Sequence, residues 1–175
     1  MSDVSISTVR LRLRRWRAGD LGPFAAMCGD PEVMRHIGSG AIQTREQAER
    51  SIHEFEREWE DKGYGLFAVQ RRDTKGLIGF AGLSEPNFLP EIMPAVEIGW
   101  RFGRQYWGNG YATEAARAAL DFGLQELGIP EIVSIYQSEN HASRRIVEKL
   151  GMQFDRETLD PSCGRVVHVY RRSAT

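Results

Sequence analysis

The strongest constraint on how this chain can fold lies between residues 95 and 120. There "AVEIGWRF", a run with β character, passes through "GRQYWGNG" into "YATEAARAAL". Helical spacing places Ala112, Ala115, Ala116 and Ala119 on one stripe, small enough for the helix to lie close against a sheet. Gly108 and Gly110 allow backbone conformations closed to other residues and remove the Cβ atoms that would block an approaching ligand. The helix start supplies unpaired N–H groups and positive partial charge. A strand, a glycine loop and a small-faced helix in this order demand a layered α/β arrangement. The loop itself fits either a bare turn or a cradle for a phosphate.

The remaining chain extends this pattern. In "TVRLRLRRW", Val9, Leu11 and Leu13 alternate with Arg10, Arg12 and Arg14, which predicts a strand with one buried face and one solvated arginine face. Residues 20–28 fit a short helix stopped by Gly29, Asp30 and Pro31. A longer helix follows Thr44, repeats Ala48, Ile52, Phe55 and Trp59 on one side, and closes at Gly63. "YGLFAVQRR", "DTKG" and "LIGFAGL" read as a hairpin, with "AVEIGWRF" as the next strand. Beyond the alanine stripe, Leu120, Leu124 and Leu127 continue a buried face until Gly128 and Pro130. A strand "EIVSIYQS", a helix "NHASRRIVEKLG" and a final strand "RVVHVYRR" complete a mixed α/β chain.

At 175 residues, 41% of them hydrophobic, the chain suits a single domain over 1–175. A formal charge of −1 provides no general drive toward nucleic acid or an anionic membrane, so neither is expected as a partner. Cys28 and Cys163 are too few for a disulfide scaffold and lack metal-ligand spacing. His36, His53, His141 and His168 are scattered, so no metal is expected. Without an apolar leader or a long apolar run, the expectation is a soluble cytoplasmic protein.

Two nucleotide motifs fail. A dinucleotide-binding fingerprint needs a third glycine where Thr113 stands and an acidic residue about 20 positions on. A P-loop needs a following GK[ST], which is missing. "EIGWRFGRQYWGNGYATEA" with "ENHASRRIVEKLGM", and the opening "RLRLRRWRAGDLGPFAAMCGDPEVMRHIG", instead resemble the GNAT acetyltransferases, in the branch of the RimJ and RimL N-terminal acetyltransferases of ribosomal proteins. The resemblance covers almost the whole chain. It implies a GNAT fold: a central, mixed, mostly antiparallel twisted sheet with splayed central strands, flanked by helices, with acetyl-CoA in the opening.

The family's loop motif fits in two registers, Gln105 to Gly110 or Trp107 to Ala112, and the helix start favours the second. The resemblance then assigns the CoA pyrophosphate to backbone N–H groups of Gly108, Asn109, Gly110, Tyr111, Ala112 and Thr113. It assigns the pantetheine amides to backbone groups near Ile98 and Trp100. Glu97, a carboxylate inside an apolar strand, is the candidate general base, with a structural carboxylate as the other reading. Asn140 suits a helix N-cap, and the resemblance adds a cofactor contact. Relatives often place a tyrosine acid where Val147 stands, so the resemblance leaves Ser143 to meet the departing thiolate, with Tyr111 as the alternative.

The function implied is an acetyl-CoA-dependent N-acetyltransferase acting on a protein N-terminal α-amine, as a monomer or homodimer. The branch also implies small-molecule acceptors (polyamine, amino sugar or antibiotic). A non-catalytic acyl-CoA-binding module is a further alternative. Between Ala41 and Lys62 seven acidic residues face four basic ones, either a lure for a cationic amine or an ordinary exposed helix face.

Overall fold

Groups of strands are interrupted by helices along the chain, in the computed structural model that describes residues 3–175. The strands are β1 (Ile6–Ser7), β2 (Leu11–Arg14), β3 (Leu66–Arg71), β4 (Leu77–Ser84), β5 (Glu97–Phe102), β6 (Glu131–Gln137), β7 (Gln153–Asp160) and β8 (Arg165–Ser173). The helices are α1 (Leu21–Cys28), α2 (Pro31–Met34), α3 (Arg45–Lys62), α4 (Tyr111–Asp121) and α5 (His141–Lys149). One sheet runs in the order β1-β2-β3-β4-β5-β6-β8-β7. Every pairing is antiparallel except β5 with β6, which is parallel and reduced to Glu97 opposite Val133. There Val133 N–H donates to Val96 O at 2.9 Å. Beyond it the ladder opens, and the Ser134 hydroxyl reaches Ile98 O at 3.3 Å. The sheet is therefore mixed, mostly antiparallel, and splayed between its central strands.

Apolar burial on both faces holds this frame. Phe67, Val69, Ala81, Leu83, Ile98 and Phe102 pack with Ala115, Ala116 and Ala119 of α4, all at most 5% exposed. Phe80, Leu66 and Ala68 face the other way, against Phe24 and Met27 of α1 and Ala48 of α3. Covering both faces explains why β3 and β4 read as continuous apolar runs. Helix α3 follows its spacing: Thr44 and Gln47 form a reciprocal capping box, and Gly63 ends it with φ 74°.

Several expectations change. Val9 is 89% exposed in the bend before β2. Arg14 is not solvated. Because α1 and α3 cover its face, it is 5% exposed, donating to both Asp20 oxygens at 2.8 and 2.9 Å and to Gln70 at 2.6 Å. Asp30 and Pro31 do more than stop α1: Asp30 accepts from Glu32 N–H and Pro31 opens α2. The alanine helix turns π-helical over Phe122–Glu126, and the extra residue per turn rotates Leu127 out to 39% exposure. The strand β7 escapes sequence reading because "QFDRETLD" has no apolar alternation and is held by its ladder with β8. Among the described residues no helix is long and apolar enough to cross a membrane.

Candidate active site

The glycine loop is built from its ends inward. Trp107 donates its indole N–H to Phe102 O at 2.9 Å and ties the loop to the end of β5. Asn109 turns back, its amide donating to the carbonyls of Tyr106 and Trp107 at 3.2 and 3.0 Å. Gly108 and Gly110 take φ of 75° and 79°, left-handed conformations that favour glycine. Gly110 is the N-cap of α4 and has no side chain to cap it. The N–H groups of Tyr111, Ala112 and Thr113 thus open the helix without a side-chain acceptor, as an anion site requires.

Arg10, grouped with the solvated arginines by its strand pattern, clamps this unit. Its Nη1 donates to Asn109 O at 2.8 Å, its Nε donates to Glu114 Oε2 at 2.7 Å, and its guanidinium lies 4.4 Å from the Tyr111 ring centre. Thr8 Oγ1 adds a 2.6 Å bond to Glu114. Burial works against the Glu114 carboxylate, but the bonds from Thr8 and Arg10 outweigh it and hold this carboxyl below its ordinary range.

The loop and the start of α4 form one wall of a cavity of about 950 Å³. The start of α5, with Asn140 and Ser143, forms the second wall, Trp100–Phe102 of β5 the third, and residues 32–37 the fourth. Asn140 Oδ1 accepts from Ser143 N–H at 3.2 Å, so this oxygen caps α5 while the residue lines the cavity. Ser143 is half-buried, whereas Val147, one turn on, is fully buried in the core and outside the wall. On the α2 side, the segment after α2 is strapped down across the splay. Arg165 donates to Arg35 O and Ser39 O at 2.9 and 2.6 Å, and Gln137 donates to Gly38 O at 2.7 Å. His36 in this wall is held below its ordinary pKa, first by burial and then by Arg35. Neither Arg165 nor Gln137 carries a sequence signal, because what each holds is a backbone carbonyl about 100 or more positions away.

Glu97 opens β5 at the one residue pair that joins the two halves of the sheet. Its side chain keeps some surface, but the carboxyl is enclosed. Among the described residues no cation pairs with it. Loss of water pushes its pKa from 4.5 up to about 8, opposed only by the Ile135 N–H of β6. That environment makes a proton acceptor matched to neutral pH.

The structure thus brings Trp100, Gly108, Gly110, Tyr111, Ala112, Thr113, Asn140 and Ser143 onto one cavity. Three of the sequence candidates lie outside its wall. Ile98 is 0% exposed and faces α4, Asn109 is turned into its own loop, and Glu97 sits along β5 beyond Trp100. Of the basic group on α5, Arg145 and Lys149 line the cavity, while Arg144 is paired with Glu148 at 3.0 Å. None of the acidic residues of α3 lines it. Among the described residues no group of three or more His, Cys, Asp or Glu is placed to hold a metal ion.

The class these features define is an α/β fold that opens between its central strands, with free helix-start N–H groups on the cavity wall and an enclosed carboxyl further along the same strand β5. Residues 10–153 match the family described as an acetyltransferase (GNAT) domain, and the chain belongs to that family. It is 33% identical over 152 residues to the uncharacterized protein YkkB of Bacillus subtilis, covering 85% of each chain. The fold matches an acetyltransferase (GNAT family) from Bacillus anthracis with a TM-score of 0.81 at 24% identity, over 98% of this chain and 99% of that one. It also matches RimL, an alpha-N-protein acetyltransferase of a ribosomal protein solved with coenzyme A, with a TM-score of 0.78 at 13% identity, over 97% and 98%. The chain is a GNAT-type N-acetyltransferase, and enzymes of this family use acetyl-CoA.

Proposed function

We propose that the acceptor is the α-amine of a protein N-terminus, as the name of RimL describes for that enzyme. The observation that carries this reading is the charge of the cavity. Its ionic side chains are the carboxylates Glu32 and Glu139 against the cations Arg35, Arg101, Arg145 and Lys149. The acidic residues of α3 do not line it, and the excess of cations in the wall disfavours a polycation such as a polyamine or aminoglycoside. A peptide N-terminus brings a single amine.

In this reading the N–H groups at Gly108–Thr113 hold the CoA pyrophosphate, and the end of β5 near Ile98 and Trp100 holds the pantetheine amides. Acetyl-CoA supplies a thioester carbonyl. Glu97 takes a proton from the acceptor ammonium, directly or through water, and the freed amine attacks the carbonyl. As the C–S bond breaks, the proton left on the attacking nitrogen passes to the departing thiolate, and the Ser143 hydroxyl stabilises that thiolate or relays the proton to it. The acetyl group passes directly to nitrogen without a covalent enzyme intermediate.

The test is an acceptor screen that reads released CoA thiol, with ribosomal-protein N-terminal peptides, polyamines and aminoglycosides. Turnover on peptides is expected. Turnover confined to polyamines or aminoglycosides moves the function to small-molecule acetylation. Acetyl-CoA binding without any turnover reduces the chain to an acyl-CoA-binding module.

A further inference from the structure

Arg101 has no role in the chemistry above, yet it is placed at the cavity with its charge unmatched. On β5, side chains alternate, so Glu97, Gly99 and Arg101 share one face and Ile98, Trp100 and Phe102 the other. The second face packs on α4. The first looks toward α1 and α2: Arg101 is paired with Phe80 of β4, lies 5.0 Å from the centre of that ring, and donates through Nη1 to Cys28 Sγ at 3.2 Å. No carboxylate pairs with it among the described residues. Its Nε is buried and finds no acceptor, one of two such side-chain atoms among the described residues. A guanidinium is always charged, and at the cavity wall its charge is costly to leave unmatched unless a ligand supplies a counter-ion.

The space between Arg101 and Glu97 is open. Gly99 is half-buried, and a Cβ built on it meets nothing within 4 Å. Four residues of strand separate the Cα atoms of Glu97 and Arg101 by roughly 13 Å, a span that an extended peptide crosses in about three to four residues. The reach of both side chains shortens the gap that the acceptor must bridge. A single substrate lying over Gly99 can therefore place its amine at Glu97 and an anionic group at Arg101.

We propose that Arg101 is a specificity-determining residue that binds a carboxylate carried by the acceptor, so that the preferred substrate is a peptide N-terminus with Asp or Glu within its first few positions. This deepens, and rests on, the assignment of an N-terminal α-amine as acceptor. A fork of N–H donors suits a carboxylate, and the cation-leaning wall of the cavity suits the same ligand.

The experiment compares matched amidated peptides that differ only by Asp, Asn or Lys at the second or third position. It follows CoA release with the whole enzyme and then with Arg101→Gln, Arg101→Lys and Arg101→Glu, whose folding is checked by thermal melting. For the native enzyme the Asp peptide is expected to have a KM about 10- to 100-fold below that of the Asn peptide, the size of one charge-assisted contact. Arg101→Gln should erase that difference and leave the KM for acetyl-CoA unchanged. Arg101→Lys should restore part of it, and Arg101→Glu should turn the preference toward Lys. If Gln unfolds the protein, the Lys and Glu variants give the same comparison, and the native enzyme's own Asp-to-Asn ratio stands without any variant. Equal turnover of Asp and Asn peptides by the native enzyme overturns the inference while leaving an α-amine acetyltransferase intact. A rise in the KM for acetyl-CoA with unchanged peptide selectivity also overturns it, by placing Arg101 on the cofactor. Absence of turnover on every peptide overturns both.

Discussion

Replacing Glu97 by Gln should move activity and stability in opposite directions, and the size of each follows from one property of the site. The carboxyl ionises near pH 8 in the folded protein instead of at its ordinary value of 4.5, because it is enclosed without a cation. For an acid whose folded pKa is raised, the native state holds the proton that the unfolded chain releases. The stability of the native state therefore falls as pH rises above 4.5 and levels off above about 8. Between pH 6 and pH 8.5 this group alone removes about 2–3 kcal/mol, which for a chain of this size is roughly 5–10 °C in Tm. Gln has no such proton to lose. The difference in Tm between the Gln variant and the native protein should therefore grow by that amount across this interval. Turnover should do the reverse: kcat should drop by about 10²-fold or more with little change in acetyl-CoA affinity. The native enzyme's rise in rate up to about pH 8 should vanish in the Gln variant. Because an α-amine titrates at about 7.7–8.0, the profile should be taken with two acceptors of different basicity. A limb owned by Glu97 stays in place, and one owned by the amine moves. A Tm difference that is flat with pH would refute the enclosed carboxyl, and a fully active Gln variant would reduce Glu97 to a structural residue.

At the loop, Gly110→Asp puts a strained side chain at a left-handed position of the cavity lining, its Cβ 3.5 Å from Arg10 Nη2 and its negative charge at the start of α4, so acetyl-CoA binding measured by calorimetry should collapse while the fold persists. Undiminished binding in the folded variant would remove the anion site from the start of α4. Ser143→Ala should lower kcat by about 10- to 10³-fold with acetyl-CoA KM little changed, and Tyr111→Phe, whose ring packs under Arg10, should turn over normally. The opposite pattern would assign the leaving-group proton to the glycine loop. Arg14→Ala strands the buried Asp20 carboxylate and Gln70, and urea unfolding should register a loss of about 3–5 kcal/mol. A loss under 1 kcal/mol would mean that water replaces the guanidinium.

What could be read from the sequence depended on whether the meaning of a residue is local. Helix α3 was legible from Thr44, the stripe Ala48, Ile52, Phe55 and Trp59, and Gly63, because its caps and its apolar stripe lie within the helix and its ends. The glycine loop was legible for the same reason: Gly108, Gly110 and the alanines of α4 act on their own backbone. The arginines were not. In "RLRLRRW" three alternate positions carry one letter, but the fold gives them different surroundings. Arg10 meets a loop about 100 residues on, Arg12 meets solvent, and Arg14 meets a helix that closes over its face of the sheet. Alternation fixes which side of a strand a residue faces. It carries no information on whether that side is covered, and here covering decides between a solvated charge, a loop clamp and a buried ion pair. Arg101 follows the same logic at the site. Its place in "EIGWRF" puts it on the face of Glu97, which the period of a strand reveals. That its guanidinium ends beside Cys28 and Phe80 with a donor unmet depends on α1 and β4, and those arrive only with the fold. Residues whose partners are distant in sequence are therefore where the structure adds to the reading of this enzyme. On the proposal made above for Arg101, one of these residues also selects the acceptor.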